Sequence, residues 1–101
     1  MKRSVPAKVR LAARQMGENV SSWRRMFSLT SEELAEKAAV SRTTISRVEN
    51  GDPSVSFATM LSIYKVLGIL DSVVMATDPY ETDIGRLRAD QQLPQRVRRR
   101  S

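Results

Sequence analysis

Between Ser41 and Gly51 the chain reads Ser-Arg-Thr-Thr-Ile-Ser-Arg-Val-Glu-Asn-Gly. Wound as an α-helix at ~100° per residue, Arg42, Thr43, Ser46, Arg47 and Asn50 fall in one continuous arc. Ile45 and Val48 lie opposite, with Thr44 and Glu49 on the borders. One side of this helix packs and the other offers hydrogen-bond donors. An Arg guanidinium can bond both acceptors of a guanine edge, and a Thr methyl can lie on a thymine methyl. The helix start at Ser41 adds free amides and a positive dipole end, both suited to phosphate. These are the partners that a DNA major groove supplies. The bland alternative is a solvated polar surface, which any amphipathic helix has. Against it, this face carries no acidic side chain, although the segment before it carries Glu32, Glu33 and Glu36.

Little other chemistry competes. The chain has no Cys and no His, which excludes disulfides, thiolate or imidazole metal sites, Cys nucleophiles and His-based proton transfer. The reading is therefore of a protein that is not an enzyme, with no catalytic residue, metal ligand or cofactor. Asp78, Glu81 and Asp83 are close in sequence, but their spacing matches no Ca²⁺ loop and reads as solvated charge. Trp23 and Tyr64 could stack on bases in a single-strand binder, yet they sit on apolar stripes and read as core.

The elements that must position the polar arc follow from local signals. Val9, Ala13, Met16, Val20, Trp23 and Phe27 recur at spacings of three and four, one stripe on a long N-terminal helix. Gly17 interrupts it at a cost of ~1 kcal/mol relative to Ala, marking a bend or the effective start. Thr30-Ser-Glu-Glu33 is a capping box opening a short helix that buries Leu34, Ala35 and Ala38. A tight turn leads to Ser41, the cap of the helix over about 42–50, which stops at Asn50-Gly51. After the Asp52-Pro53-Ser54 turn, Ser54 or Ser56 caps a fourth helix with Phe57, Met60, Leu61 and Tyr64 as its buried stripe, ending near Gly68. Leu70 to Thr77 makes a short fifth helix, closed by Asp78-Pro79. Its apolar residues Leu70, Val73 and Val74 are either leftover core or a dimer seam, and read as the seam because four earlier helices already supply one small core. The tail from Tyr80 is polar and then basic, with Ile84, Leu87 and Leu93 as isolated apolar anchors. No segment alternates as a strand, so the fold class is all-α.

The organisation expected is a disordered arm over residues 1–7, a helix-turn-helix domain over 8–78, and a partly disordered tail over 79–101. Charge is banked at both ends. Residues 1–27 carry a net +6 and residues 86–101 a net +5, around a mildly acidic middle, for +6 overall. Basic termini are either solvated tails or footholds on a polyanion. No run of ~18 apolar residues spans a membrane, and the basic start lacks a following apolar stretch, so the expected location is the cytoplasm.

The segment from about Gly17 to Leu70 resembles the lambda-repressor-like, XRE-type helix-turn-helix family. The residues carrying the resemblance are Gly17-Glu-Asn-Val20, Leu29-Thr-Ser-Glu-Glu-Leu-Ala35, the run from Val40 to Gly51, and the helix between Pro53 and Leu67. The resemblance implies a compact five-helix domain that binds double-stranded, pseudo-palindromic operator DNA as a two-fold homodimer. It implies base reading by Ser41, Arg42, Thr43 and Arg47. Ser31 matches a phosphate contact, and Thr44, Ser46 and Asn50 match positions supporting backbone contacts or the helix itself. Arg24 and Glu49 match an ion pair tying the first helix to the third. Three departures stand out. Ser31 replaces a usual Gln, so that contact would be shorter or water-mediated, and Ala39 and Ser28 replace common Gly. If Ala39 has a positive φ, Ala there costs on the order of 1 kcal/mol. Residues 70–99 are further similar to the C-terminal part of HipB-like proteins, which implies an antitoxin that binds a HipA-like kinase toxin and represses its own operon. A stand-alone XRE-type regulator and a protein-interaction adaptor are the other readings.

Overall fold

A computed structural model of the chain describes residues 4–92. Residues 1–3 of the arm expected over 1–7, and the Leu93 anchor with its following basic run, lie outside them. Among the described residues the chain is all helical, and it divides into two units that part between Ile69 and Leu70.

The first unit holds α1 (Ala7–Met26), α2 (Ser31–Ala38), α3 (Arg42–Glu49) and α4 (Phe57–Leu67). The starts of α2, α3 and α4 are each set by a side chain, whereas α1 follows Pro6 without a side-chain cap. Thr30 Oγ1 accepts from the Glu33 amide at 3.0 Å while the Glu33 carboxylate accepts from the Thr30 amide at 2.8 Å, so the capping box is complete. Ser41 Oγ accepts from the Thr44 amide, and Ser56 Oγ, not Ser54, accepts from the Thr59 amide, both at 3.1 Å. Each end is a Schellman turn, in which a left-handed residue lets two amides turn back to orphan carbonyls. After α1 these are Ser28 to Arg25 and Leu29 to Arg24; after α2, Ala39 to Glu36 and Val40 to Ala35. After α3 they are Gly51 to Val48 and Asp52 to Arg47; after α4, Gly68 to Lys65 and Ile69 to Tyr64. Gly51 and Gly68 meet the positive φ without cost, whereas Ser28 (φ 58°) and Ala39 (φ 59°) adopt it with a Cβ in place.

The core is Val20 of α1, Leu34, Ala35 and Ala38 of α2, Ile45 and Val48 of α3, and Ile63, Tyr64 and Leu67 of α4. α3 lies against both α1 and α2, and α2 against α4. The Tyr64 hydroxyl is buried without a hydrogen-bond partner among the described residues, and desolvation raises its pKa. Three sequence expectations need correction. α1 does not begin at Gly17 but runs through it, and that glycine is a packing site: an added Cβ would lie within 3.0 Å of the Val48 carbonyl oxygen, and 3.1 Å from the Glu49 carbonyl oxygen and the Gly51 nitrogen. The α1 stripe is buried only around Val20; Val9, Met16 and Phe27 are exposed, since the helix is longer than the surface it packs on. Phe57, expected in the α4 stripe, is 76% exposed, because Ile63, Tyr64 and Leu67 define the face that meets the core.

The second unit contains α5 (Leu70–Ala76), a 3₁₀ turn (Pro79–Glu81) and α6 (Asp83–Gln92). Asp78 caps the turn by accepting from the Tyr80 amide at 2.9 Å. Thr82 Oγ1 accepts from the Gly85 amide at 3.0 Å and so opens α6. This last helix lies in the stretch whose polarity suggested a tail with isolated anchors. Ile84 and Leu87 are both exposed on it, so no apolar stripe announces it.

Candidate nucleic-acid interface

α3 is held from beneath and free above. Ile45 is fully buried and Val48 is 3% exposed, while Arg42, Thr43, Ser46, Arg47 and Asn50 are exposed along the opposite side. Thr44 and Glu49 are half-buried at the borders. The structure thus brings the whole expected arc onto one accessible face of a helix eight residues long. Ser41 stands at its start, with its hydroxyl engaged as the cap and at 2.9 Å from Thr44 Oγ1. Ser31, half-buried, opens α2 behind its own capping box.

Two contacts fix the angle of this helix. The first is a bidentate ion pair across the α1–α3 contact: Arg24 Nε donates to Glu49 Oε2 at 2.7 Å and Nη2 to Oε1 at 3.1 Å. Arg24 Nη1 also donates to the Leu29 carbonyl at 2.9 Å, so one guanidinium ties α1, α3 and the turn before α2. Both side chains are only 15% exposed, and the hydrogen bonds to Glu49 raise the Arg24 pKa further above an already high value. The second is the backbone approach of Gly17 to the last turn of α3, described above.

Arg47 is braced as well. Its Nε donates to Asp52 Oδ2 at 2.8 Å and its Nη2 to Ser54 Oγ at 3.0 Å, while Ser54 Oγ donates to Asp52 Oδ1 at 2.6 Å. The Ser54 amide donates to the same Asp52 oxygen at 2.8 Å, an Asx turn that fixes the carboxylate. Hydrogen bonds from Ser54 and then Arg47 hold the Asp52 pKa far below the usual carboxylate range. From the sequence Asp52 and Ser54 read only as turn and cap residues, not as partners of Arg47. The available signal was Asn50-Gly51: a left-handed Gly after a helix folds the chain back, which carries residues 52–54 beside the last turn.

The cationic surroundings extend to α1, where Lys8, Arg10 and Arg14 line an open groove with Gly51 and Pro53 beside the turn that follows α3. Leu70 and Val73 in the second unit are half-buried, and Val74 is 56% exposed. None of the helices among the described residues is long and apolar enough to cross a membrane.

Two short helices joined by a turn, the second with a buried apolar side and an exposed cationic one, constitute a helix-turn-helix. A helix-turn-helix family model matches residues 20–71, from the middle of α1 into α5 and just over half of the chain. No match to a curated protein reaches significance. With that match and this geometry, the chain belongs to the helix-turn-helix family as a DNA-binding transcriptional regulator of the XRE type.

Proposed function

We propose that the protein is a repressor that binds a pseudo-palindromic operator as a homodimer, acts in the cytoplasm on the nucleoid, and serves as the antitoxin of a HipA-like kinase. The observation that carries the DNA-reading part is the exposed side of α3, whose arginines and hydroxyls stand on a helix anchored by Ile45, Val48 and the Arg24–Glu49 pair. Lys and Arg of α1 and of the termini draw the protein to the duplex and make affinity fall steeply with salt. α3 enters the major groove, where Arg42, Thr43 and Arg47 read bases with Ser41 at the helix start. Ser31, Thr44, Ser46 and Asn50 support backbone contacts. Dimerisation, assigned to Leu70, Val73 and Val74, presents two copies of α3 ~34 Å apart, one per half-site. Occupying a promoter in this way blocks transcription.

The double variant Arg42→Ala with Arg47→Ala tests the reading. It is expected to lose preference for the operator over a scrambled duplex while remaining folded by circular dichroism. Undiminished preference removes α3 as the reading element. The antitoxin role is supported by the resemblance of residues 70–99 to HipB-like proteins and assigns the partner contact to residues 79–101. Deleting those residues should weaken association with a kinase encoded beside this gene, and unchanged association removes that assignment.

A further inference from the structure

An arginine that reads a base must hold its guanidinium still, and Arg47 has a device for this. Its side-on edge, Nε and Nη2, is occupied by Asp52 Oδ2 and Ser54 Oγ. Ser54 closes the ring by donating its own proton to Asp52 Oδ1. A guanidinium has five N–H donors, and this ring uses two of them. Among the described residues nothing takes the end-on edge, formed by Nη1 and the second proton of Nη2, and it can meet another partner. The ring is not sealed from solvent: the Arg47 side chain is 44% exposed and that of Asp52 31%.

We infer that Asp52 and Ser54 are positioning residues for Arg47, clamping its side-on edge so that the end-on edge meets O6 and N7 of a guanine at one base pair of each half-site. This rests on α3 being the helix that enters the groove. The end-on edge presents two parallel donors, and guanine alone offers two acceptors side by side in the major groove; adenine replaces one with a donor. A free arginine would satisfy guanine, phosphate and solvent in several rotamers. A clamped one loses less conformational freedom on binding and discriminates more sharply. Asp52 therefore contributes to specificity although it is a carboxylate, a group that phosphate repels.

The test uses the full chain and a duplex selected from a randomised pool by the wild type. Affinities are measured for that duplex and for each single-base-pair variant of it, with wild type, Arg47→Ala, Asp52→Asn and Ser54→Ala, all checked for an unchanged melting transition. The readout is the ratio between duplexes, because removing a carboxylate near phosphates tightens binding to every sequence alike. Losing a charge-assisted bond should flatten the preference for guanine roughly 10-fold in Asp52→Asn, at the base pair that Arg47→Ala flattens and at no other. Ser54→Ala should flatten the same position to a smaller degree. If Arg47→Ala flattens one position and Asp52→Asn leaves it unchanged or sharper, the positioning role is overturned while Arg47 remains a base reader. If Arg47→Ala lowers affinity evenly across all duplexes, Arg47 contacts phosphate and the inference fails with its premise.

Discussion

Replacing Gly17 by Ala sets two physical effects against each other, and the structure decides the sign. Gly17 lies in the interior of a 20-residue helix. By propensity alone Ala would stabilise that helix by ~1 kcal/mol. But the new methyl would sit within 3.0 Å of the Val48 carbonyl oxygen, with the Glu49 carbonyl and the Gly51 amide nitrogen both at 3.1 Å. All three neighbours are backbone, so no rotamer change relieves the clash. α3 cannot retreat, because Ile45 and Val48 are already packed beneath it. α1 must then lift by about an ångström along a contact that also holds Val20 and the Arg24–Glu49 pair. Overpacking of this kind costs about 1–3 kcal/mol, and the rigid neighbours place it at the upper end. After subtracting the propensity gain, the variant should be ~2 kcal/mol less stable. With a urea slope near 1 kcal/mol/M for a chain of this size, the midpoint should fall by about 2 M at unchanged slope, followed by far-ultraviolet circular dichroism. Gln15→Ala, an exposed site two residues away on α1, should stay within ~0.5 kcal/mol of wild type and reports on propensity without the clash. Operator affinity should also drop in Gly17→Ala, although the glycine is on the far side of α3 from the exposed arc. A raised midpoint would mean that α1 and α3 are not in backbone contact, and would refute the account of how α3 is held.

The other predictions concern the turns and the ion pair. Ala39→Gly should stabilise the protein by about 1 kcal/mol in the same denaturation assay, because Ala39 sits at φ 59° between the two helices of the motif; a loss of stability would place that residue outside the left-handed region. Glu49→Ala leaves the Arg24 guanidinium mostly shielded from solvent without its carboxylate, and should cost about 2–3 kcal/mol. That cost should persist at high salt, whereas an exposed pair would be screened; a midpoint within error of wild type would refute the anchoring role.

What the sequence disclosed is what adjacent residues settle among themselves. The Thr30–Glu33 box, the Ser41 cap and the opposition of Ile45 and Val48 to the polar arc depend on neighbours three or four positions away, and the helical repeat makes them legible. The cost at Ala39 was legible as a condition on its φ, which the structure supplies. Burial was legible only in part. Spacing gives α1 a stripe and α4 another, but it does not say how far the partner surface extends, so Val9, Met16, Phe27 and Phe57 lie outside the core. α6 escaped because a helix with Ile84 and Leu87 exposed has no amphipathic signature to read.

Apart from the Arg24–Glu49 pair, which the family resemblance supplied, what aims α3 and its second arginine was hidden for a more specific reason: it is carried by residues with no side chain. Gly17 looks like a defect in its own helix, and its use appears only when the backbone of α3, some thirty residues later, is laid against it. Gly51 looks like a helix stop. Its φ of 81° also turns the chain so that Asp52 and Ser54 return to Arg47, and an added Cβ there would press on the Arg14 backbone at 2.7 Å. Helix periodicity pairs Arg47 with residues three and four away, and Asp52 is five away, across the stop. The polar, exposed face of α3 is thus written in its own nine residues. Its tilt against α1 and the orientation of its second arginine are written in close approaches between segments that a one-dimensional pattern does not bring together.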